Sequence, residues 1–92
     1  MPEIRLTRTA ERDLRRVGLG VERNRLRRAL GQFGAGAEHL DIKALVGAKP
    51  WLRLRVGDLR VLYRVRDDGG LQVARIVHRG ELAAGVAALP EE

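Results

Sequence analysis

The chain has 92 residues, a formal net charge of +6, no cysteine and two histidines. A chain of this length supports one small core, so residues 1–92 are expected to form a single domain. Without cysteine there is neither a disulfide frame nor a thiolate metal site, and His39 and His78 alone do not make a structural zinc centre, so no metal is expected. No apolar run approaches the length of a membrane span and no signal-peptide pattern opens the chain, which makes a cytoplasmic location the expectation.

The charge is unevenly placed. Residues 1–33 carry nine Arg against four acids and residues 50–79 seven Arg against three Asp, whereas residues 34–49 balance and residues 80–92 hold three Glu and no cation. Clustering of this kind points to nucleic acid or to an acidic protein partner.

In chain order, residues 2–6 alternate, with Ile4 and Leu6 on one face and Arg5 on the other, the pattern of a short edge strand. Thr7 is placed to cap a helix. Ala10, Leu14 and Val17 follow at i, i+4 and i+7 as its apolar stripe, and Gly18 is its expected stop. A second helix begins after Gly20: Leu26, Ala29, Leu30 and Phe33 form its buried stripe, and Arg23, Arg25, Arg27 and Arg28 cover the rest as a solvated face. It is expected to end near Gly34-Ala35-Gly36. Residues 34–50 read as a connector in which Ile42 and Leu45 plug the edge of the core, His39 has no assigned role, and Pro50 blocks helix before the next strand.

The stretch from Pro50 to Arg79, PWLRLRVGDLRVLYRVRDDGGLQVARIVHR, carries the strongest pattern. Apolar and polar positions alternate from Trp51 to Val65, the period of a half-buried strand. Gly57-Asp58 interrupts the alternation and suits a two-residue hairpin turn, which pairs Val56 with Leu59, Arg55 with Arg60, Leu54 with Val61 and Arg53 with Leu62. A second turn with Asp68-Gly69 at its tip pairs Arg66 with Leu71, Arg64 with Val73, Leu62 with Arg75 and Arg60 with Val77. Leu52, Leu54, Val56, Leu59, Val61, Tyr63, Val65, Ala74 and Ile76 then share one side of a three-stranded meander. Trp51, Arg53, Arg55, Arg60, Leu62, Arg64, Arg66, Arg75 and Arg79 share the other. Like charges facing each other, such as Arg55 and Arg60, destabilise a sheet. A face built this way suits an anion, and a phosphate backbone best of all.

Beyond Arg79, Leu82, Val86 and Leu89 mark a short amphipathic helix that Gly80 and Gly85 weaken and Pro90 ends. The expected fold is α+β, ordered β-α-α-β-β-β with an antiparallel sheet. Two N-terminal helices pack on its apolar face, a short C-terminal helix follows, and the arginine face is left open.

RLRVGDLRVLYRV followed by RIVHRGE, behind two amphipathic helices and LVG, resembles the RelE/ParE superfamily of toxins from bacterial toxin–antitoxin pairs, the RelE branch above all. The resemblance runs from Ile4 to about Glu81. It implies a RelE-like fold and a ribosome-dependent endoribonuclease that cuts mRNA, the RNA's own 2′-hydroxyl attacking the adjacent phosphate while basic side chains of the sheet stabilise it. On that resemblance Arg60 and Arg79 fall on catalytic positions, and Arg53, with Arg55 beside it, on an RNA-binding one. Arg75 joins them on the same face by register. Fixed guanidinium groups stabilise a phosphorane where its negative charge develops, and their forks match phosphate oxygens.

Two further candidates come from the residues. His78 is the one side chain near this stretch that titrates close to neutrality and is the candidate base, although strand alternation aims it away from Arg79 unless the strand has already ended. Trp51 either stacks on an RNA base or caps the core edge. Many family members carry a Tyr shortly after the H-R pair; here Gly80-Glu81-Leu82-Ala83-Ala84 has no aromatic residue. Three functions are therefore carried forward: an mRNA endonuclease on the ribosome, a ParE-like inhibitor of DNA gyrase, and a module that only binds its antitoxin. All three imply a cognate antitoxin as partner, and none implies a cofactor or a membrane.

Overall fold

The computed structural model describes residues 3–17, 20–33 and 40–90. Along them run β1 (Ile4–Leu6), α1 (Arg8–Val17), α2 (Val21–Gln32), β2 (Asp41–Ala44), β3 (Leu52–Val56), β4 (Leu59–Val65), β5 (Leu71–His78), a 3-10 turn (Arg79–Glu81) and α3 (Leu82–Ala87). The strands form one sheet in the order β1-β5-β4-β3-β2, with β1 parallel to β5 and all other pairings antiparallel. The α+β class and the two helices ahead of the meander agree with the sequence pattern. The expected stop at Gly18, the helix end at Gly34-Ala35-Gly36 and His39 lie outside the described residues.

Local signals explain the helices. The Thr7 hydroxyl accepts the Ala10 N–H at 3.0 Å, the N-cap bond that satisfies one orphan donor of α1. The same hydroxyl donates to the Ala74 carbonyl at 3.0 Å and so ties the helix start to β5. Ala10 from α1 and Leu26 and Ala29 from α2 are buried against Leu54, Val56, Leu59, Val61, Tyr63, Leu71, Val73 and Ile76 of the sheet. Phe33 meets the Tyr63 ring edge-on at 5.3 Å, a favoured aromatic geometry.

The first hairpin has the register that its Gly57-Asp58 turn dictates: Val56 opposite Leu59, Arg55 opposite Arg60, Leu54 opposite Val61 and Arg53 opposite Leu62. Gly57 takes φ of 59°, a left-handed conformation that favours glycine. The second hairpin differs near its turn. Gly69 N–H donates to the Arg66 carbonyl and Arg66 N–H to the Gly70 carbonyl, so the loop holds three residues, with Gly69 at φ of 85°. Arg64 therefore faces Gln72 rather than Val73, and Val65 rather than Arg66 faces Leu71. An irregularity between Leu62 and Tyr63, opposite Ala74, takes up the extra residue. Beyond it Leu62 faces Arg75 and Arg60 faces Val77, as the sequence predicts.

Two features depart from expectation. The connector contains β2, paired to β3 with Asp41 opposite Arg55 and Lys43 opposite Arg53. Four residues, D-I-K-A, alternate there, too short a run to stand out against a loop. The arginine face, moreover, is not open along its length. α3 lies over β4 and β5 against Leu62 and Val77, and the segment that follows it to Pro90 covers Ala74 and Trp51, so that all four are buried in a second apolar layer on the side away from α1 and α2. Gly85 makes this possible: a Cβ there would stand 3.3 Å from Leu62 Cδ1 and 3.3 Å from Val77 Cγ1, so its lack of a side chain permits close approach rather than merely weakening the helix.

Candidate nucleic-acid interface

At the Gly57-Asp58 end of the sheet, beyond the cover of α3, four guanidinium-bearing residues come together. Arg55 and Arg60 are direct cross-strand partners, Arg53 follows Arg55 on the same face of β3, and Arg79 lies just past β5 with its N–H on the Asp58 carbonyl at 2.8 Å. Burial holds the Arg60 guanidinium below its usual range, and the positive charges of Arg55, Arg53 and Arg79 push in the same direction. Arg60 is fixed by its own turn: Nη1 donates to the Gly57 carbonyl at 2.9 Å and to the Leu59 carbonyl at 3.0 Å. A cation that is partly desolvated, fixed and surrounded by like charge is poised to gain from an incoming anion.

Two carboxylates border the cluster. Asp41 Oδ1 lies 3.4 Å from Arg53 Nη1 and Oδ2 lies 3.9 Å from Arg55 Nη1, and Arg53 Nη1 also approaches the Asp41 carbonyl at 3.4 Å. Asp58 Oδ1 lies 3.8 Å from Arg79 Nε, both side chains being well exposed. Arg25 of α2 reaches the same hairpin tip, where its Nη1 is the nearest atom to the missing Cβ of Gly57. Asp41, Asp58 and Arg25 were not among the expected site residues. The alternation around Asp41 was the signal for the first; the approach of Arg25 is set by helix packing and has no local signal.

The model of the family described as ParE toxin of type II toxin–antitoxin system, parDE, matches residues 4–83. The chain belongs to this toxin family. Within the RelE/ParE superfamily, solved structures agree with the assignment. A chain of the RelB–RelE antitoxin–toxin complex from Methanococcus jannaschii is 26% identical, with a TM-score of 0.71, the match covering 86% of this chain and 94% of that one. A chain of the RelBE2 toxin–antitoxin complex from Mycobacterium tuberculosis is also 26% identical, with a TM-score of 0.56 and coverage of 86% and 100%. The DinJ–YafQ complex of E. coli matches at 16% identity with a TM-score of 0.71, covering 89% of this chain and 98% of that one, a likeness of fold alone. No curated protein matches the sequence.

The toxin does not gather every expected residue at this end. Trp51, expected either to stack on a base or to cap the core, is 3% exposed, and its Nε1 donates to the Pro90 carbonyl at 3.2 Å. It is closed off by the C-terminal segment and offers no ring to a base. Arg75 Nε donates to Asp13 Oδ2 at 2.8 Å, which turns it away from the cluster toward α1. His78 lies opposite Leu59, whose side chain belongs to the core beneath the helices, so the register sends it to the face opposite Arg60. It lines a hollow of about 50 Å³ with Asp13, Arg16, Val17 and Glu81 instead. Arg66 sits at the other end of the sheet with Glu3 and Asp68, and Arg64 is half-buried opposite Gln72. Of seven arginines expected to act as one face, the fold brings four together.

Among the described residues of the toxin, no group of three or more His, Cys, Asp or Glu side chains is disposed to hold a metal ion, and no helix is long and apolar enough to cross a membrane.

Proposed function

We propose that this toxin is an endoribonuclease that cuts mRNA on the ribosome by attack of the RNA 2′-hydroxyl on the adjacent phosphate: the 2′-oxygen–phosphorus bond forms, the bond to the 5′-oxygen of the next nucleotide breaks, and water takes the hydroxyl proton and returns one to the departing oxygen. The observation that carries the reading is Arg60, fixed by its turn and partly desolvated among Arg53, Arg55 and Arg79. A pentacovalent phosphorane carries more negative charge than the phosphodiester it comes from. Guanidinium groups already in place therefore favour it over the ground state, without reorganisation during the reaction. Arg60 stabilises that charge directly. Arg53 and Arg55 align the neighbouring phosphates through their forked donors, and Arg79 contributes from the 3-10 turn. His78 takes no part from its place opposite Leu59.

The reading implies a protein partner. A toxin of this family is kept silent by a cognate antitoxin, and two of the relatives described above were solved in antitoxin–toxin complexes. An acidic antitoxin segment fits the arginine-rich surface by charge.

The match to the ParE family model favours a second reading, inhibition of DNA gyrase. Expression of the toxin alone, with primer extension on mRNA beside a gyrase supercoiling assay, separates the two. Cleaved mRNA with unaffected supercoiling, the cleavage abolished by Arg60→Ala, supports the nuclease. Supercoiling inhibition with intact mRNA overturns it, and absence of either effect leaves a module that only binds its antitoxin.

A further inference from the structure

Asp41 does not fit a surface built only to attract anions. Its strand, β2, sits at the edge of the sheet, yet its carboxylate spans two arginines of the cluster, one oxygen toward Arg53 and the other toward Arg55. That is how a phosphate bridges two guanidinium groups, one oxygen to each fork. The separations, at 3.4 and 3.9 Å, are longer than the 2.7–2.9 Å of a tight charge-assisted bond. The Asp41 side chain is 44% exposed and Arg53 only 14%, so the acid has a path to solvent while the arginine beneath is held in place. Asp41 also opposes, by its charge, the cationic neighbours that act on Arg60.

We propose that Asp41 is a built-in competitor for the phosphate at this site: it occupies the anion position between Arg53 and Arg55, and a phosphodiester binds by displacing it. The inference rests on the reading of this end of the sheet as a phosphate site. It adds that binding is an exchange of one anion for another rather than a simple addition. The exchange lowers affinity for any isolated phosphate, because a bond from phosphate to Arg53 or Arg55 replaces one that Asp41 already makes. It also preserves the fold in the unbound toxin, because Asp41 offsets the repulsion between Arg55 and Arg60. Selectivity follows: a polyanion that engages Arg60 and Arg79 as well displaces Asp41, while a single small anion does so poorly.

The test compares the wild-type toxin with Asp41→Asn, Asp41→Glu and, as a control for net charge, Glu11→Gln on the exposed face of α1. Each is titrated with a single-stranded RNA decamer by fluorescence anisotropy across a range of salt. Each is also titrated with inorganic phosphate by NMR on the arginine Nε–H signals, with thermal melts to confirm folding. Asp41→Asn is expected to bind the decamer roughly fivefold more tightly, the scale of a partly exposed ion pair. Its salt dependence steepens by about 0.7 in log–log slope, one additional effective phosphate neutralised on a single strand. Its Arg53 and Arg55 signals shift at lower phosphate than in wild type. Asp41→Glu, which restores a carboxylate, stays within about twofold of wild type on the same scale, and Glu11→Gln binds less tightly than Asp41→Asn. Equal tightening in Asp41→Asn and Glu11→Gln, or weaker binding in Asp41→Asn, overturns the proposal even where Arg60→Ala confirms the nuclease. Tighter binding in Asp41→Asn by a toxin that cleaves no mRNA upholds it while the nuclease reading falls. No response of the Arg53 and Arg55 signals to phosphate in Asp41→Asn overturns the proposal.

Discussion

Arg75 reaches past the edge of β5 to Asp13 on α1, with Nε 2.8 Å from Oδ2, and the same carboxylate oxygen accepts the Ile76 N–H at 2.9 Å. The bond has a topological cause. β1 ends at Leu6, opposite Val73, so the edge of β5 beyond that point has no strand to accept its N–H groups. Asp13 supplies the acceptor from a helix, and Arg75 supplies the cation that pairs with its carboxylate at 4% exposure. Asp13→Ala leaves the Ile76 donor and the Arg75 charge without a partner and is expected to destabilise the toxin by about 3 kcal/mol. Urea denaturation of the two proteins measures it, and an unchanged midpoint refutes the role. Arg75→Gln is expected to lower stability while leaving RNA affinity within about twofold, the scale of a residue outside the site.

Trp51 is the single tryptophan, so its fluorescence reports its surroundings without ambiguity. Buried beneath Pro90, it is expected to emit at short wavelength, to resist quenching by iodide, and to remain unquenched when RNA binds. Quenching by RNA in proportion to binding would restore it as a stacking residue. Trp51→Phe removes the bond to Pro90 and is expected to cost about 1 kcal/mol in denaturation.

Arg60→Ala is expected to reduce mRNA cleavage by at least about a hundredfold, the scale seen when one fixed donor to a developing charge is removed. Stability is expected to change by no more than about 1 kcal/mol, because the lost turn bonds are offset by relief of repulsion from Arg55, Arg53 and Arg79. Primer extension and a thermal melt on the same preparation read the two effects separately. Cleavage retained by a folded variant removes Arg60 from the mechanism.

Gly85 marks where α3 presses on the sheet. Gly85→Leu has no room between Leu62 and Val77 and is expected to destabilise by about 2 kcal/mol, through overpacking that pushes α3 outward. Increased iodide access to Trp51 in this variant would confirm that α3 and the segment following it close that side of the sheet as a unit.

Tyr63, the single tyrosine, is buried in the core, and burial pushes its phenol up to about 12. With a folded pKa above the unfolded one, its contribution is fully present below about pH 10 and lost as pH rises through the folded value. The shift amounts to roughly 3 kcal/mol. Denaturation midpoints are expected to fall between pH 10 and pH 12, and tyrosinate absorbance to rise later than in a denatured control. A titration coincident with that of the denatured protein contradicts the burial.

The two hairpins show what a sequence pattern reaches and where it stops. Both turns were legible because Gly57-Asp58 and Asp68-Gly69 are local signals, and the pairing of Arg55 with Arg60 followed by counting outward. The second turn holds one residue more than its tip suggests, and the irregularity opposite Ala74 absorbs it, so the predicted pairs fail beside the turn and hold again beyond it. That compensation is fixed in part by the Thr7 hydroxyl on the Ala74 carbonyl, a bond between residues far apart in the chain that no window of sequence displays.

The same division runs through the candidate site. Alternation and turn residues by themselves determined that Arg53, Arg55 and Arg60 share a face, because strand period and hairpin register are short-range properties of the backbone. Which guanidinium groups remain available was decided only in three dimensions. Asp13 on α1 claims Arg75, Glu3 and Asp68 pair with Arg66, α3 and the segment after it close over Leu62 and Trp51, and Asp41 on the unforeseen β2 spans Arg53 and Arg55. Charge pairing and burial depend on which elements pack together, and that is a property of the whole fold rather than of any segment within it.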